Sequence, residues 1–407
     1  MFYYKEKRMK KLALAVAAAS MIAGAAQAGG HMPNEVRLGV ALGFTGPAES
    51  LAADMAAGAE MAMKEVADSG KLFGGAKVTP VRADSTCVDA SAAAAAAERL
   101  ISAEKVDAIV GALCSGATIS ILQNVAMPNG VLLFSPSATS PALSSLEDNG
   151  YFFRASPSDA RQGQVIAEML QEKGYKSIAM TYTNNDYGKG LADSIQSNFE
   201  AAGGKVTINT PHEDGKGDYG AEVGALAQAG GDILVVAGYL DQGGKGIIQS
   251  SLDAGAFDHF FLPDAMIGDS LTAAIGPDLD GSIGTVPGTD SPGSDSYKEM
   301  FTAATGAAPG PYSDYSYDAA AMTLLAMQAA GTKDSKVVKD HVFEIANAPG
   351  EKIYPGELAK GLEILANGGQ IDYVGATAVE LIGGGESAGS YREILVKDQK
   401  NTTVRYR

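Results

Sequence analysis

The sequence predicts an α/β protein made of two doubly wound parallel-sheet lobes, and three observations carry that reading. Short β-branched runs alternate with longer Ala-rich amphipathic stretches, the pattern of strands covered by helices on both faces. The alternation runs once from Val36 to Phe134 and starts again after Ser156-Pro157. The length of 407 residues suits two or three domains at roughly 100–200 residues each.

In the first series, strands are expected at Val36–Leu42, Lys77–Ala83, Ala108–Gly111 and Val131–Phe134. Helices are expected between them at Ala48–Ser69, Ser91–Glu104 and Ala117–Met127, where alanine, the strongest helix former, is dense. The second series places strands at Ser177–Thr183, Val206–Thr210, Ile233–Ala237 and Phe260–Leu262. Its helices fall at Ser158–Lys173, Gly188–Ala202, Gly220–Ala229 and Gly243–Ala254. A stretch rich in Gly, Pro and Ser, Val286–Ser294, then reads as a break. Helices over Tyr317–Ala330, Ser335–Ala346 and Glu357–Asn367 follow it, and a last strand covers Tyr391–Val396.

The N-terminus reads as an address. Lys5, Lys7, Arg8, Lys10 and Lys11 form a basic region, Leu12–Ala26 an apolar stretch, and Ala26-Gln27-Ala28 an A-x-A cleavage site. That is the pattern of a secretory signal peptide over residues 1–28, and it implies export to the periplasm. The formal charge is −17. Taking away five basic residues and Glu6 leaves 26 bases against 47 acids, or −21. Such a surface disfavours nucleic acid and anionic membrane as partners. Beyond the leader, no apolar run approaches the ~18 residues a membrane-spanning helix needs.

Cys87 and Cys114 are the only cysteines. In an oxidising compartment such a pair is expected to form a disulfide; two buried free thiols are the alternative. The four histidines are scattered, without metal-ligand spacing. No metal or cofactor is expected.

The catalytic motifs fail on context. Gly215-Lys216-Gly217-Asp218-Tyr219-Gly220 matches G-x-G-x-x-G, and Asp241 stands about where a ribose-binding acid would. However, Pro211–Asp214 separate this loop from the preceding strand, so the tight turn of a dinucleotide site is missing. Gly385-Glu386-Ser387-Ala388-Gly389 matches G-x-S-x-G, but it leads into a strand and no histidine follows it. An enzyme is not expected.

Several segments, taken together, resemble the periplasmic leucine/isoleucine/valine-binding proteins, the type I solute-binding proteins of ABC importers. In the first series these are Gly43-Phe44-Thr45-Gly46-Pro47, Asp84-Ser85-Thr86-Cys87, Val110-Gly111-Ala112-Leu113-Cys114-Ser115 and Ser135-Pro136-Ser137-Ala138-Thr139. In the second they are Asn185-Asp186-Tyr187-Gly188-Lys189-Gly190, Ala237-Gly238-Tyr239 and Leu262-Pro263-Asp264. Gly310-Pro311-Tyr312 and Tyr315-Ser316-Tyr317-Asp318 follow. Most of these segments lie just past strand ends, the edge at which open α/β sheets bind ligands.

The resemblance implies two lobes joined by a three-segment hinge: residues 33–155 with 286–376, and 156–285 with 377–407. It implies a small amino acid, branched-chain or otherwise neutral, held between the lobes by a monomer and handed to an ABC importer permease. The rival expectation is a sensing subunit of the same fold for a small carboxylate or amide. By position, Ser115 and Thr139 would bond the ligand's carboxylate and ammonium, Ser137 and Ala138 would offer main-chain groups, and Asp264 would pair with the ammonium. Tyr187 and Tyr239 would close from the second lobe. The family's first-lobe disulfide matches Cys87 and Cys114. Leu51 stands where these binders carry an aromatic residue, and Tyr312 and Tyr315 are further candidates for the side-chain pocket. From the residues alone, Ser115 and Asp264 also read as helix caps, Thr139 as a turn residue, and the tyrosines as packing groups.

Overall fold

A computed structural model describes residues 33–407; the expected leader lies outside them. The first sheet contains β1 (Glu35–Leu42), β2 (Lys77–Asp84), β3 (Ala108–Gly111), β4 (Leu132–Ser135) and β5 (Phe152–Arg154), in the order β2-β1-β3-β4-β5 and all parallel. The linking helices are α1 (Glu49–Ser69), α2 (Ala90–Ser102) and α3 (Ser115–Ile121). Every residue of β3 and β4 is buried, as expected for strands covered on both faces. The single helix expected over Ala117–Met127 instead starts at Ser115 and passes through a wider π turn at Leu122–Ala126.

The second sheet has the order β16-β15-β10-β9-β8-β6-β7. Its parallel part contains β6 (Ser177–Thr183), β7 (Lys205–His212), β8 (Ile233–Ala237), β9 (Phe260–Leu262) and β10 (Ile283–Pro287). An antiparallel hairpin, β15 (Tyr391–Lys397) and β16 (Lys400–Tyr406), completes the edge. The helices around this sheet are α4 (Asp159–Glu172), α5 (Asp186–Ala201), α6 (Gly220–Ala229), α7 (Gly243–Asp253) and α8 (Asp269–Ile275). Strand β10 continues in this sheet to Pro287, past the residue 285/286 boundary expected for the crossing. The Gly/Pro/Ser-rich break therefore begins with a buried strand and ends in α9 (Pro292–Thr305).

After α9 come α10 (Ser313–Ala330) and α11 (Leu358–Ala366). Two small parallel strands, β11 (Glu351–Ile353) and β12 (Ile371–Tyr373), flank α11, and a short antiparallel pair, β13 (Leu381–Ile382) and β14 (Glu386–Ser387), precedes β15. α10 is buried on every side from Tyr315 to Gln328, so it is a core helix and not an amphipathic one. It packs on α1, where Gly58 lies against the Ser313 carbonyl, and a β-carbon at that position would collide with it. Asp318 of α10 anchors the chain returning from β12: its carboxylate accepts from the Tyr373 hydroxyl at 2.7 Å, the Ala376 N–H at 2.8 Å, and the Thr377 N–H and hydroxyl at 2.9 and 2.6 Å. Among the described residues, no helix is long and apolar enough to cross a membrane.

Candidate functional site

The ends of β3 and β4 carry one wall of a cleft between the two sheets. Their loops are stitched together by serines. Ser135 Oγ donates to the Ala112 carbonyl at 2.8 Å and accepts from the Ala138 N–H at 2.9 Å, while Ser137 Oγ donates to the Leu113 carbonyl at 2.8 Å. Ser115, the first residue of α3, accepts from the Ser140 N–H at 3.1 Å. It therefore joins the two loops instead of capping its own helix. The Cys87–Cys114 disulfide forms, tying the loop after β2 to this wall. From below, the buried Arg154 guanidinium donates to the carbonyls of Ala138 and Ser140 at 3.2 and 3.0 Å and pairs with Glu386 at 3.0 Å.

The opposite wall is aromatic and acidic. Tyr187, in the first turn of α5, stacks on Tyr239, just past β8, with ring centroids 5.3 Å apart. The Tyr187 hydroxyl donates to Asp264 Oδ1 at 2.8 Å, and the Tyr312 hydroxyl donates to the other carboxylate oxygen. Asp264 is thus a buried acceptor held by two phenols, not a helix cap. Tyr312 reaches it from a left-handed backbone conformation, φ 65° and ψ 0°, which for a bulky residue costs on the order of 1–3 kcal/mol and tends to mark functional positions.

Seven expected site residues, Leu51, Ser115, Ser137, Tyr187, Tyr239, Asp264 and Tyr312, line one cavity of about 10 Å³. Ala138 and Thr139 are buried nearby but do not line it, and both main-chain polar groups of Ala138 are already hydrogen-bonded. Tyr315 is also outside the lining, with its ring centroid 5.8 Å from that of Tyr312.

Sequence reasoning missed Asp159. Its N–H donates to the Thr139 carbonyl at 2.9 Å, yet neither carboxylate oxygen has a hydrogen-bond partner of good geometry, and the Thr139 hydroxyl is also unpartnered. Burial raises the Asp159 pKa well above the carboxylate range, and the neighbouring Asp264 charge raises it further. Thr139 and Arg154 pull it back. Burial likewise raises Asp264, against the lowering effect of the Tyr312 and Tyr187 hydroxyls. Two buried carboxyls in one electrostatic environment favour a bound cation or a retained proton. The available signal was an acid directly after the Ser156-Pro157-Ser158 break, which is also an ordinary choice for the first turn of a helix.

Two α/β lobes with a buried niche at the facing strand edges define the class: a two-lobed solute-binding protein. The chain belongs to the periplasmic binding protein family, whose pattern matches residues 35–345. It is 31% identical over 350 residues to the Leu/Ile/Val-binding protein homolog 1 of Brucella melitensis, a match covering 84% of this chain and 88% of that one. Among solved structures, it resembles a leucine binding protein from Thermotoga maritima, with TM-score 0.77, 21% identity, and coverage of 91% of this chain and 98% of that one. It also resembles the branched-chain amino acid transporter substrate binding protein of Streptococcus pneumoniae, with TM-score 0.76, 20% identity, and coverage of 92% and 99%.

Proposed function

We propose that this protein is an exported receptor that captures a small amino acid between its lobes and delivers it to an ABC importer. Branched-chain amino acids are the first candidates and other neutral amino acids, including aromatic ones, come next. One observation carries the reading: a buried carboxylate, Asp264, faces the serine-stitched loops of the other lobe across a niche ringed by tyrosines. A buried carboxylate is costly unless a cation or donors answer it, and an α-ammonium does so. The hydroxyls of Ser115 and Thr139, with main-chain groups of Ser137 and the second lone pair of the Ala138 carbonyl, are assigned to the ligand's polar head. Tyr187 and Tyr239 are assigned to the closing wall, and Leu51 and Tyr312 to the side-chain end.

The niche of about 10 Å³ is close to one water's worth of room. Entry of an amino acid therefore requires the lobes to part and close again, and a ligand that bridges both lobes favours the closed state. The lobes so moved are residues 33–155 with 286–376, and 156–285 with 377–407, the exact crossings being part of the proposal. Residues 1–28 are assigned as a cleaved leader, and the working unit as a monomer.

Calorimetry of the mature chain against the twenty amino acids tests the reading. At least one neutral L-amino acid is expected to bind, and Asp264→Ala is expected to abolish that heat while leaving the melting transition cooperative. Silence from all twenty would reject the amino-acid ligand, and unchanged affinity in the variant would reject the role of Asp264.

A further inference from the structure

Helix α1 has no N-cap of its own. Ala48 occupies the capping position and has no side-chain acceptor, although the first N–H groups of a helix need one. The acceptor comes from the other lobe. The Ser50 N–H, in the first turn of α1, donates to Asp241 Oδ2 at 2.9 Å, across 191 residues of sequence. Asp241 lies between β8 and α7. Its second oxygen accepts from Ser270 Oγ at 2.7 Å, and Ser270 Oγ lies 3.1 Å from Ser50 Oγ. The Asp241 N–H donates to the Pro47 carbonyl at 3.0 Å. Among the described residues, Asp241 has no ion-pair partner, and it does not line the niche around Asp264.

We infer that Asp241 is a closure latch: it caps α1 in trans, and only when the two lobes are shut. The Glu49 and Leu51 N–H groups find carbonyls in their own lobe, at 3.3 and 3.2 Å, and Glu49 places one acid in the first turn. Opening the cleft leaves the Ser50 N–H to water, while closure returns an anionic acceptor to it. The latch adds to the closed state a term that depends on no ligand contact. An aspartate suits the task because one oxygen takes the helix N–H while the other is fixed by Ser270. The inference rests on the two-lobed closure proposed above, but not on the identity of the ligand.

The test uses the full mature chain with one spin label on each lobe, at Ser102→Cys and Asp253→Cys, both exposed. Interlobe distances are measured without ligand, and affinity is measured with L-leucine as the probe. Asp241→Ala is expected to raise the open-to-closed ratio, or to weaken L-leucine binding, by roughly fivefold, the usual effect of losing one cap. Asp241→Asn keeps an acceptor and is expected to change either quantity by less than about twofold. Retained hydrogen-exchange protection over Met55–Val66 would show that α1 remains folded in both variants. The latch is overturned if Asp241→Ala matches the wild-type chain in both distance distribution and affinity. If L-leucine fails to bind the wild-type chain, that result counts against the ligand assignment, and the ligand-free distances alone decide the latch.

Discussion

Leu51 separates two spaces. On one side is the niche around Asp264; on the other is a cavity of about 310 Å³ whose wall includes Asp54, Asp269 and Arg392. A leucine here is a thin partition, and the matching family position carries a ring. We therefore expect the side-chain end of the site to accept larger amino acids than a ringed site would. Leu51→Tyr tests this. Inserting a ring into a packed position typically costs about 1–3 kcal/mol, and that cost should fall on ligands that need the space. L-phenylalanine affinity is expected to drop about tenfold or more relative to L-valine, as read by calorimetry on both proteins. An equal loss for both ligands would mean that Leu51 supports the wall without selecting among side chains. The departure at Leu51 was legible in the sequence because its neighbours Gly46-Pro47-Ala48-Glu49-Ser50 fix the alignment. Asp159 was not: a carboxyl one residue past a capping serine has the same spelling whether it meets solvent or, as here, is buried beside Thr139.

Elements were legible where burial on both faces forced continuous apolar runs, as in β3, β8 and β9. They were lost where length or local chemistry misled. Strand β5 has three residues and β10 contains Gly284 and Pro287, yet both are entirely buried; their partners hold them, not their own propensity. Helix α9 opens with Ser291 as its cap and Pro292 in the first turn, which are start signals as much as loop signals. The missed β16 is the most instructive case. Its hairpin turns through Asp398 and Gln399, both with positive φ (53° and 60°), a primed turn that normally calls for Asn-Gly or Asp-Gly. Here tertiary contact substitutes for glycine, because both turn N–H groups donate to the Asp280 carboxylate, at 3.1 and 2.9 Å. Gln399→Gly removes the left-handed penalty and keeps both bonds. We expect it to stabilise the chain by about 1 kcal/mol, the penalty less glycine's added entropy in the unfolded chain. Urea unfolding measures this directly, and a destabilised variant would mean that the Gln399 side chain contributes more than its backbone geometry costs.

At the scale of the whole molecule, acid stability should depend on buried groups that do not line the niche. His212 ends β7 with its Nδ1 2.9 Å from the Thr181 hydroxyl, its ring edge toward Tyr219 and its Nε2 unpartnered. Burial pushes its pKa down to about 4; Lys216 adds to the shift and Glu222 opposes it. Unfolding restores the ordinary value near 6.5. Between these limits the unfolded chain binds a proton that the folded chain refuses, so stability falls as pH drops from about 6.5 toward 4. The loss approaches roughly 3 kcal/mol for this one residue. Asp318 works in the opposite sense. Burial raises it to about 7, against the four donors around it, so the folded chain keeps a proton that the unfolded carboxyl has lost above about 3.9. That contribution, roughly 4 kcal/mol over the full span, is complete below about 3.9 and fades as pH rises toward 7, so it offsets the histidine in the wild-type curve. The difference between two proteins separates them. His212→Gln removes the histidine term and leaves Asp318 in place. From pH 7 to pH 4.5 its unfolding free energy, measured in urea, should change more favourably than the wild type's, by on the order of 2–3 kcal/mol. Equal changes in the two proteins would mean that water reaches His212 in the folded state and that its burial sets no proton-linked stability.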